Sequence, residues 1–144
     1  MPPLLQASGG HFYVVLENIS NDPIWLATID DIWFDNLSFE ITDTNGKTTS
    51  YHAAHYAVAP HLVAFKLLRP KEVTVVEISY GEDGAEGAYA FPFPKAGGSN
   101  QASIRAIFDK APDYAYPDIL KDGVGIKWSG RAKSETCKVT LAGK

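Results

Sequence analysis

The sequence predicts an all-β protein built as an antiparallel sandwich, and three observations support this prediction. Apolar and polar residues alternate with a period of two in several segments, whereas no segment keeps a helical period over about three turns. Glycine- and proline-rich breaks separate these segments, and strands do not alternate with helices. The 144 residues, 45% hydrophobic and 21% charged, are typical of one globular domain with a sizeable core.

The first two strands are predicted over residues 11–18 and 37–43, where every second residue is apolar. In the first strand, Phe12, Val14 and Leu16 lie on one face, and Tyr13, Val15 and Glu17 lie on the other. In the second strand, Leu37, Phe39 and Ile41 are predicted to point inward. Asn45-Gly46 follows the second strand and predicts a tight hairpin turn, because both residues accept positive φ angles.

The remaining strands are predicted in the second half of the chain. Residues 62–68 and 72–80 flank a turn at Arg69-Pro70-Lys71, and residues 102–109 alternate again. In the last strand, residues 136–142, Cys137 is in phase with Val139 and Leu141. This phase predicts that Cys137 is buried and reacts slowly in the native state. A single cysteine also excludes an intramolecular disulfide.

Several turn sequences in the first half of the chain resemble those of immunoglobulin-like domains in bacterial exported proteins. Residues 18–23, N-I-S-N-D-P, resemble the N-x-S-x-x-P turn that follows the first strand of such domains. Residues 36–43, N-L-S-F-E-I-T-D, followed by Gly46-Lys47, resemble their second characteristic stretch. Residues 68–72, L-R-P-K-E, are similar to their L-x-P-G-E turn, with a lysine in place of the glycine.

The resemblance continues to the end of the chain. The proline-glycine segment 91–98 leads into Arg105-Ala106-Ile107-Phe108, which is similar to the R-A-x-[YF] strand of these domains. Residues 128–134, W-S-G-R-A-K-S, resemble their W-x-G-x-x-x-S ending. The resemblance implies a single immunoglobulin-like antiparallel β-sandwich of about seven to eight strands over residues 11–142. Residues 1–10 are then expected to form a flexible N-terminal segment.

Charge and hydropathy exclude two classes of partner. The net charge is −4 with scattered basic residues, so no basic patch for nucleic acid is present. The apolar runs are far shorter than the roughly 20 residues that span a bilayer, which predicts no membrane insertion. Residues 1–10 lack the features of a signal peptide. Because the chain starts just before a strand, we expect the mature part of an exported (periplasmic or secreted) protein rather than a cytoplasmic one.

Residues 50–65 contain three of the four histidines, His52, His55 and His61. One interpretation is a metal-binding protein or metal-dependent enzyme centred on these three side chains. The other is a connection between strands in which the histidines are polar fillers. The sequence favours the connection, because no fourth zinc ligand lies nearby and no H-E-x-x-H motif is present.

Two other metal sites are excluded by residue type. A blue-copper site needs a histidine after the cysteine and usually an axial methionine, but no histidine follows Cys137 and the single methionine is Met1. A calcium loop starting at Asp43 would need a glutamate at position 54, which is alanine. We therefore predict no cofactor and no catalytic centre.

The segment Asp30-Asp31-Ile32-Trp33-Phe34-Asp35 places carboxylates beside two large aromatic residues. A carbohydrate-binding module could stack Trp33 on a sugar ring. The favoured interpretation is a solvated loop in which Trp33 or Phe34 plugs the core, because adjacent aspartates on an extended chain point to opposite sides.

Tyrosines in turn-rich connections offer the remaining candidate contacts. Tyr114 and Tyr116 lie between Pro112 and Pro117, and tyrosine provides contact area at a low cost in conformational entropy. The sequence thus predicts a non-catalytic binding or structural module that contacts another protein through loops or a sheet edge.

Overall fold

The computed structural model describes residues 2–29, 37–53, 63–81, 88–109, 125–128 and 130–144. These residues form strands, turns and irregular backbone without any helix, which confirms the all-β prediction. The strands are β1 (Leu4–Gln6), β2 (Gly10–Glu17), β3 (Ile24–Ile29), β4 (Leu37–Asp43), β5 (Thr48–His52), β6 (Val63–Leu68), β7 (Val73–Tyr80), β8 (Ser99–Asp109), β9 (Ile126–Lys127), β10 (Arg131–Lys133) and β11 (Cys137–Ala142).

The strands form three sheets. The largest has the order β1-β11-β8-β4-β5, and β10 also pairs with β8. The second sheet is the pair β2-β7, and the third has the order β6-β3-β9. All pairings are antiparallel except β1 with β11 and β3 with β9, which are parallel. Several antiparallel sheets around one core are consistent with a β-sandwich.

The second and third sheets are consecutive parts of one antiparallel ribbon. The β2-β7 register runs to the pair Glu17↔Val73, and the β3-β6 register resumes at Ile24↔Leu68. Hydrogen bonds across the break continue the pairing: Asn18 N–H donates to Glu72 O over 3.0 Å, and Lys71 N–H donates to Asn18 O over 2.8 Å. Hereafter, "the ribbon" means β2 and β3 paired with β7 and β6.

Asn18 fixes the break in the ribbon through its buried side chain. Its Nδ2 donates to Asp22 O over 2.8 Å and to Leu68 O over 2.9 Å. Its Oδ1 accepts from Ser20 N–H over 3.0 Å and from Ser20 Oγ over 2.6 Å. An asparagine amide has two donor hydrogens and one acceptor oxygen, so every polar atom of this side chain is satisfied. Asn18 and Ser20 of the N-x-S-x-x-P motif thus stabilise this turn by hydrogen bonds.

The second turn of the break has a strained residue. Lys71 has a φ of 67°, the only positive value for a residue other than glycine in the described parts of the chain. Its N–H donates to Asn18 O, and the Glu72 carboxylate accepts from Arg69 N–H over 2.9 Å. Lysine therefore occupies the left-handed conformation that glycine adopts without steric cost.

The hairpin between β4 and β5 is confirmed, but its turn differs from the prediction. Only Gly46, with a φ of 84°, has a positive φ, whereas Asn45 does not. Gly46 N–H donates to Asp43 O over 3.1 Å, and Asp43 Oδ1 accepts from Asn45 N–H and Lys47 N–H. A longer loop with one left-handed glycine is the common alternative to a two-residue turn, and the Asp43 carboxylate favours it here.

The ending W-x-G-x-x-x-S also has a structural role. Trp128 stacks on Phe108 with ring centroids 5.1 Å apart, and Gly130 has a φ of 141°. Ser134 N–H donates to Ala106 O over 2.9 Å, while Ser134 Oγ accepts from Ala106 N–H over 2.9 Å. Ser134 thereby bridges the gap between β10 and β11, which both pair with β8.

The core lies between the ribbon and the six-stranded sheet. Phe12 of β2 meets Phe39 of β4 edge to face, with ring centroids 5.2 Å apart. Tyr89 also packs edge to face against Phe39, with ring centroids 4.8 Å apart, and its hydroxyl donates to Leu37 O over 2.7 Å. The predicted inward residues Leu37, Phe39 and Ile41 are all buried, and Phe12, Val14 and Leu16 pack against them.

Within residues 1–10, predicted to form a flexible N-terminal segment, Leu4–Gln6 form β1, which pairs in register with β11, and Leu5 and Ala7 are buried. One prediction about the other end of the chain is wrong. Cys137 was expected to be buried, but it is exposed, whereas Val139 is buried as predicted. The reason is that Cys137 lines an open groove between β2 and the six-stranded sheet, and no described strand lies over it.

Candidate functional site

The outer side of β2 and β7 exposes a row of apolar side chains. We call Tyr13, Val15, Val73 and Val75 the outer apolar face. Their exposed fractions are 63%, 59%, 50% and 57% respectively. Val15 lies directly opposite Val75 in the register, so the four side chains form one continuous patch. Water-exposed apolar patches of this kind on a soluble domain mark contact surfaces.

Polar groups border the outer apolar face at the start of β2. His11 Nδ1 lies 3.0 Å from Glu77 Oε1 and 3.3 Å from Ser79 Oγ, and all three residues are exposed. At the other end, Glu17 lies opposite Val73. An apolar centre with a polar rim is the usual anatomy of a protein–protein contact.

A groove of about 410 Å³ runs beside β2, on the side away from β7. One wall is β2 itself from Phe12 to Val15. The opposite wall and floor belong to the six-stranded sheet and include Leu5, Ile104, Ala106, Cys137 and Val139, together with Glu135 in the connection between β10 and β11. Exposed Cys137 thus faces the groove in the phase that its alternation predicts, but no strand of the described residues lies above it.

A second, smaller cavity of about 210 Å³ follows along the same strand. It is lined by the end of β2 and the turn after it, residues 16–20, together with Phe108, Trp128 and Ala132. Both cavities therefore lie where β2 passes over the β8-β10-β11 side of the large sheet, one after the other along β2.

The outer face of the six-stranded sheet has the opposite character. Glu40 and Arg105 are cross-strand partners on β4 and β8 and form an ion pair through their side chains. Arg131 lies 3.9 Å from Glu40 and 3.5 Å from Asp109. The hydrogen bond from Arg105 lowers the pKa of Glu40 below its usual value of 4.5; partial desolvation opposes this shift, and the charges of Arg105, Lys133 and Arg131 add to it.

Most of the site residues predicted from the sequence lie outside the described part of the chain. These are Trp33, Tyr114, Tyr116, His55 and His61. His52 is the last residue of β5 and is exposed. Among the described residues, no group of three or more His, Cys, Asp or Glu side chains could hold a metal ion. The metal and carbohydrate hypotheses for these residues therefore stay as predictions.

Sequence reasoning placed Tyr13 and Val15 correctly but did not identify them as a site. The signal was present, because β2 and β7 carry apolar residues on both faces: Y-V-V in residues 13–15 and V-T-V-V in residues 73–76. A strand that is apolar on both faces is typical of a strand covered on both sides, yet here one side is open.

In the parts of the chain that the structure describes, no helix has the length and apolar character needed to cross a membrane.

Comparison with protein-family models, with curated proteins and with solved structures finds no match to this chain.

Proposed function

We propose that this protein is a non-catalytic binding module with an immunoglobulin-like topology, which contacts a protein partner through the outer apolar face. The single observation that carries the proposal is the exposure of Tyr13, Val15, Val73 and Val75 side by side on two paired strands. An isolated exposed apolar residue needs no explanation, but four contiguous ones do.

The chemistry of the patch fits a protein partner better than a small molecule. The outer apolar face lies on one side of a two-stranded pair, whereas small-molecule sites are concave and enclose most of the ligand. Its centre is aliphatic with one tyrosine, and its charged groups lie at the border. Tyrosine and aliphatic side chains at the centre with charges at the rim match the composition of interface cores.

The strand order supports the immunoglobulin-like part of the proposal. A first strand that pairs in parallel with the last, in a sheet that continues β11-β8-β4-β5, is the arrangement expected when the chain starts on one sheet and crosses to the other. Asn18 and Ser134, which carried the resemblance, and Lys71, which stands where the motif has glycine, each make hydrogen bonds at a break between strands.

The test is position-dependent photocrosslinking in cells that produce the protein. A photoreactive amino acid replaces Val75 on the outer apolar face or, as the matched control, Ser50, which is exposed on β5 opposite Glu40. We expect a discrete protein adduct from position 75, none from position 50, and loss of the position-75 adduct when Val15→Glu is added.

Equal adducts from both positions would show non-specific contact and would contradict the proposal. Absence of any adduct from position 75 would also contradict it. Circular dichroism and thermal melting of each variant establish that the fold is retained, because the replaced side chains are exposed and contribute little to stability.

A further inference from the structure

The edge of β2 that faces the groove has backbone hydrogen-bonding groups without a partner among the described residues. In an antiparallel pair, alternate residues exchange hydrogen bonds with the partner strand, and the residues between them direct their N–H and C=O groups away. Asn18 exchanges hydrogen bonds with the β7 side, and the register is unbroken back to Gly10↔Tyr80. The groups of His11, Tyr13, Val15 and Glu17 therefore point to the open side.

Among the described residues, β2 pairs only with β7, so these four residues present a free strand edge. The large sheet below extends past this edge through β11 and β1, since Leu5, Cys137 and Val139 line the groove together with Tyr13 and Val15. Among the described strands, the lower layer is thus wider than the upper layer, and none of them pairs with the open edge of β2 above the groove.

We infer that the groove beside β2 binds an extended peptide segment of a protein partner, which pairs with β2 as an added strand. This inference rests on the proposed function, because it specifies how the partner engages the same two-stranded pair. Backbone hydrogen bonds to the outward groups of β2 supply the pairing, and alternate side chains of the peptide enter the apolar groove over Ile104, Ala106 and Val139.

Charge specifies the peptide further. Glu135 lies on the groove wall and Glu17 at the end of the open edge. Neither carboxylate has an ion-pair partner among the described residues. Arg131 and Lys133, which lie on β10 and precede Glu135 in the chain, act on Glu40. The segment that complements this groove is therefore apolar at alternate positions and carries basic residues.

A second folded copy of the chain fits the groove less well. If two copies paired through β2, the overhanging β11 and β1 of each copy would enter the layer that the large sheet of the other copy occupies. A single strand has no such second layer. Sheets pack about 10 Å apart, which leaves room over the floor for one strand and its side chains.

The experiment uses the whole protein and a synthetic peptide of about seven residues, alternating valine and threonine, with lysine at both ends. Hydrogen exchange followed by NMR is the first readout. We expect the outward amides of Tyr13 and Val15, unprotected in the free protein, to exchange about fivefold or more slowly with saturating peptide. The amides of Phe12 and Val14, bonded to β7 already, are the internal control.

Two further peptides distinguish strand pairing from non-specific apolar binding. Backbone N-methylation of either the odd or the even residues removes the hydrogen-bond donors from one edge of the peptide only. We expect one of these two peptides to bind like the parent and the other to lose binding. A peptide with glutamate in place of both lysines is the charge control, and we expect it to bind at least about tenfold more weakly.

The single cysteine provides a second readout without mutation. Cys137 lines the groove and is exposed, so bound peptide should slow its reaction with a maleimide by about fivefold or more. The inference is overturned if millimolar lysine-ended peptide leaves both the outward amides and Cys137 unprotected, if both N-methylated peptides bind equally, or if the protein dimerises with protection of the same amides.

The two proposals fail in different ways. If crosslinking at Val75 identifies a partner but the peptides leave the β2 amides unchanged, the binding function stands and strand addition is wrong. If position 75 yields no adduct while the peptides protect Tyr13 and Val15, the groove binds a strand and the outer apolar face is not the partner surface.

Discussion

The outer faces of the two layers present opposite chemistry to water. On the six-stranded sheet, Glu40 pairs with Arg105, and Arg131 lies between Glu40 and Asp109. On the ribbon, the corresponding surface is the outer apolar face, more than half exposed on average. Both surfaces belong to the same domain and meet the same solvent. The two outer faces therefore differ in chemistry, and this difference is the basis of the proposal that a protein partner covers the outer apolar face.

The largest expected effect comes from breaking the ribbon that displays the outer apolar face. Asn18→Ala leaves the buried Leu68 carbonyl and the Asp22 carbonyl without their amide donors. We expect a loss of about 2–3 kcal/mol in the free energy of unfolding, measured by urea denaturation. Ser20→Ala is the control and should cost less, because its hydroxyl is exposed. Equal losses of stability in the two variants would show that the Asn18 side-chain amide contributes no more than the Ser20 hydroxyl.

A neighbouring pair of valines compares the two faces of one strand directly. Val76 is 5% exposed and packs in the core, whereas Val75 is 57% exposed. Val76→Ala should lower the free energy of unfolding by about 2 kcal/mol, and Val75→Ala by about 0.5 kcal/mol or less. Chemical denaturation of both variants measures the difference. A similar cost for both would mean that the outer apolar face is covered in the protein as it exists in solution.

Relief of strain in the ribbon turn should raise stability. Lys71 has a φ of 67°, and a side chain in this region costs about 1–2 kcal/mol relative to a residue that adopts it freely. Lys71→Gly should therefore increase the melting temperature and stabilise the fold by up to about 1 kcal/mol, after the entropy cost of glycine is included. Lys71→Ala should give no such gain in stability. A gain from alanine would show that the effect comes from removing the lysine charge and not from relieving backbone strain.

The smallest expected effect tests the charged face. Because its folded-state pKa is lowered, Glu40 contributes stability that is complete above its unfolded pKa and is lost as the pH falls through the folded pKa. Between neutral pH and pH values below about 4, the wild-type protein should lose more stability than Glu40→Gln. Thermal melts over this range measure the two slopes. Parallel slopes would contradict a stabilising pair between Glu40 and Arg105.

Much of the fold could be predicted because alternation reports which side of a strand faces the core. This was sufficient for the strands β2, β4, β7, β8 and β11. It could not find β3, residues 24–29, since an almost continuous apolar run has no period of two. The short strands β1, β9 and β10 form by pairing with strands that are distant in sequence. No local sequence pattern encodes this pairing.

The candidate site shows the same limit at the level of single residues. Alternation gave the correct phase for Cys137, and the side chain does face inward beside Val139. Whether an inward position is buried depends on the element above it, and that is a property of the assembled layers. The outer apolar face is the converse case, because Val75 is apolar and yet 57% exposed, whereas its neighbour Val76 is buried.

The fully bonded amide of Asn18 has a consequence for how the molecule opens. The side chain holds Leu68 at the end of β6, while its backbone is bonded to Lys71 and Glu72 at the start of the β7 arm. Neither half of the ribbon can separate without breaking bonds that also belong to the other half. Slow amide protons in β2-β7 and in β3-β6 should therefore exchange with one common opening free energy, as a single cooperative unit.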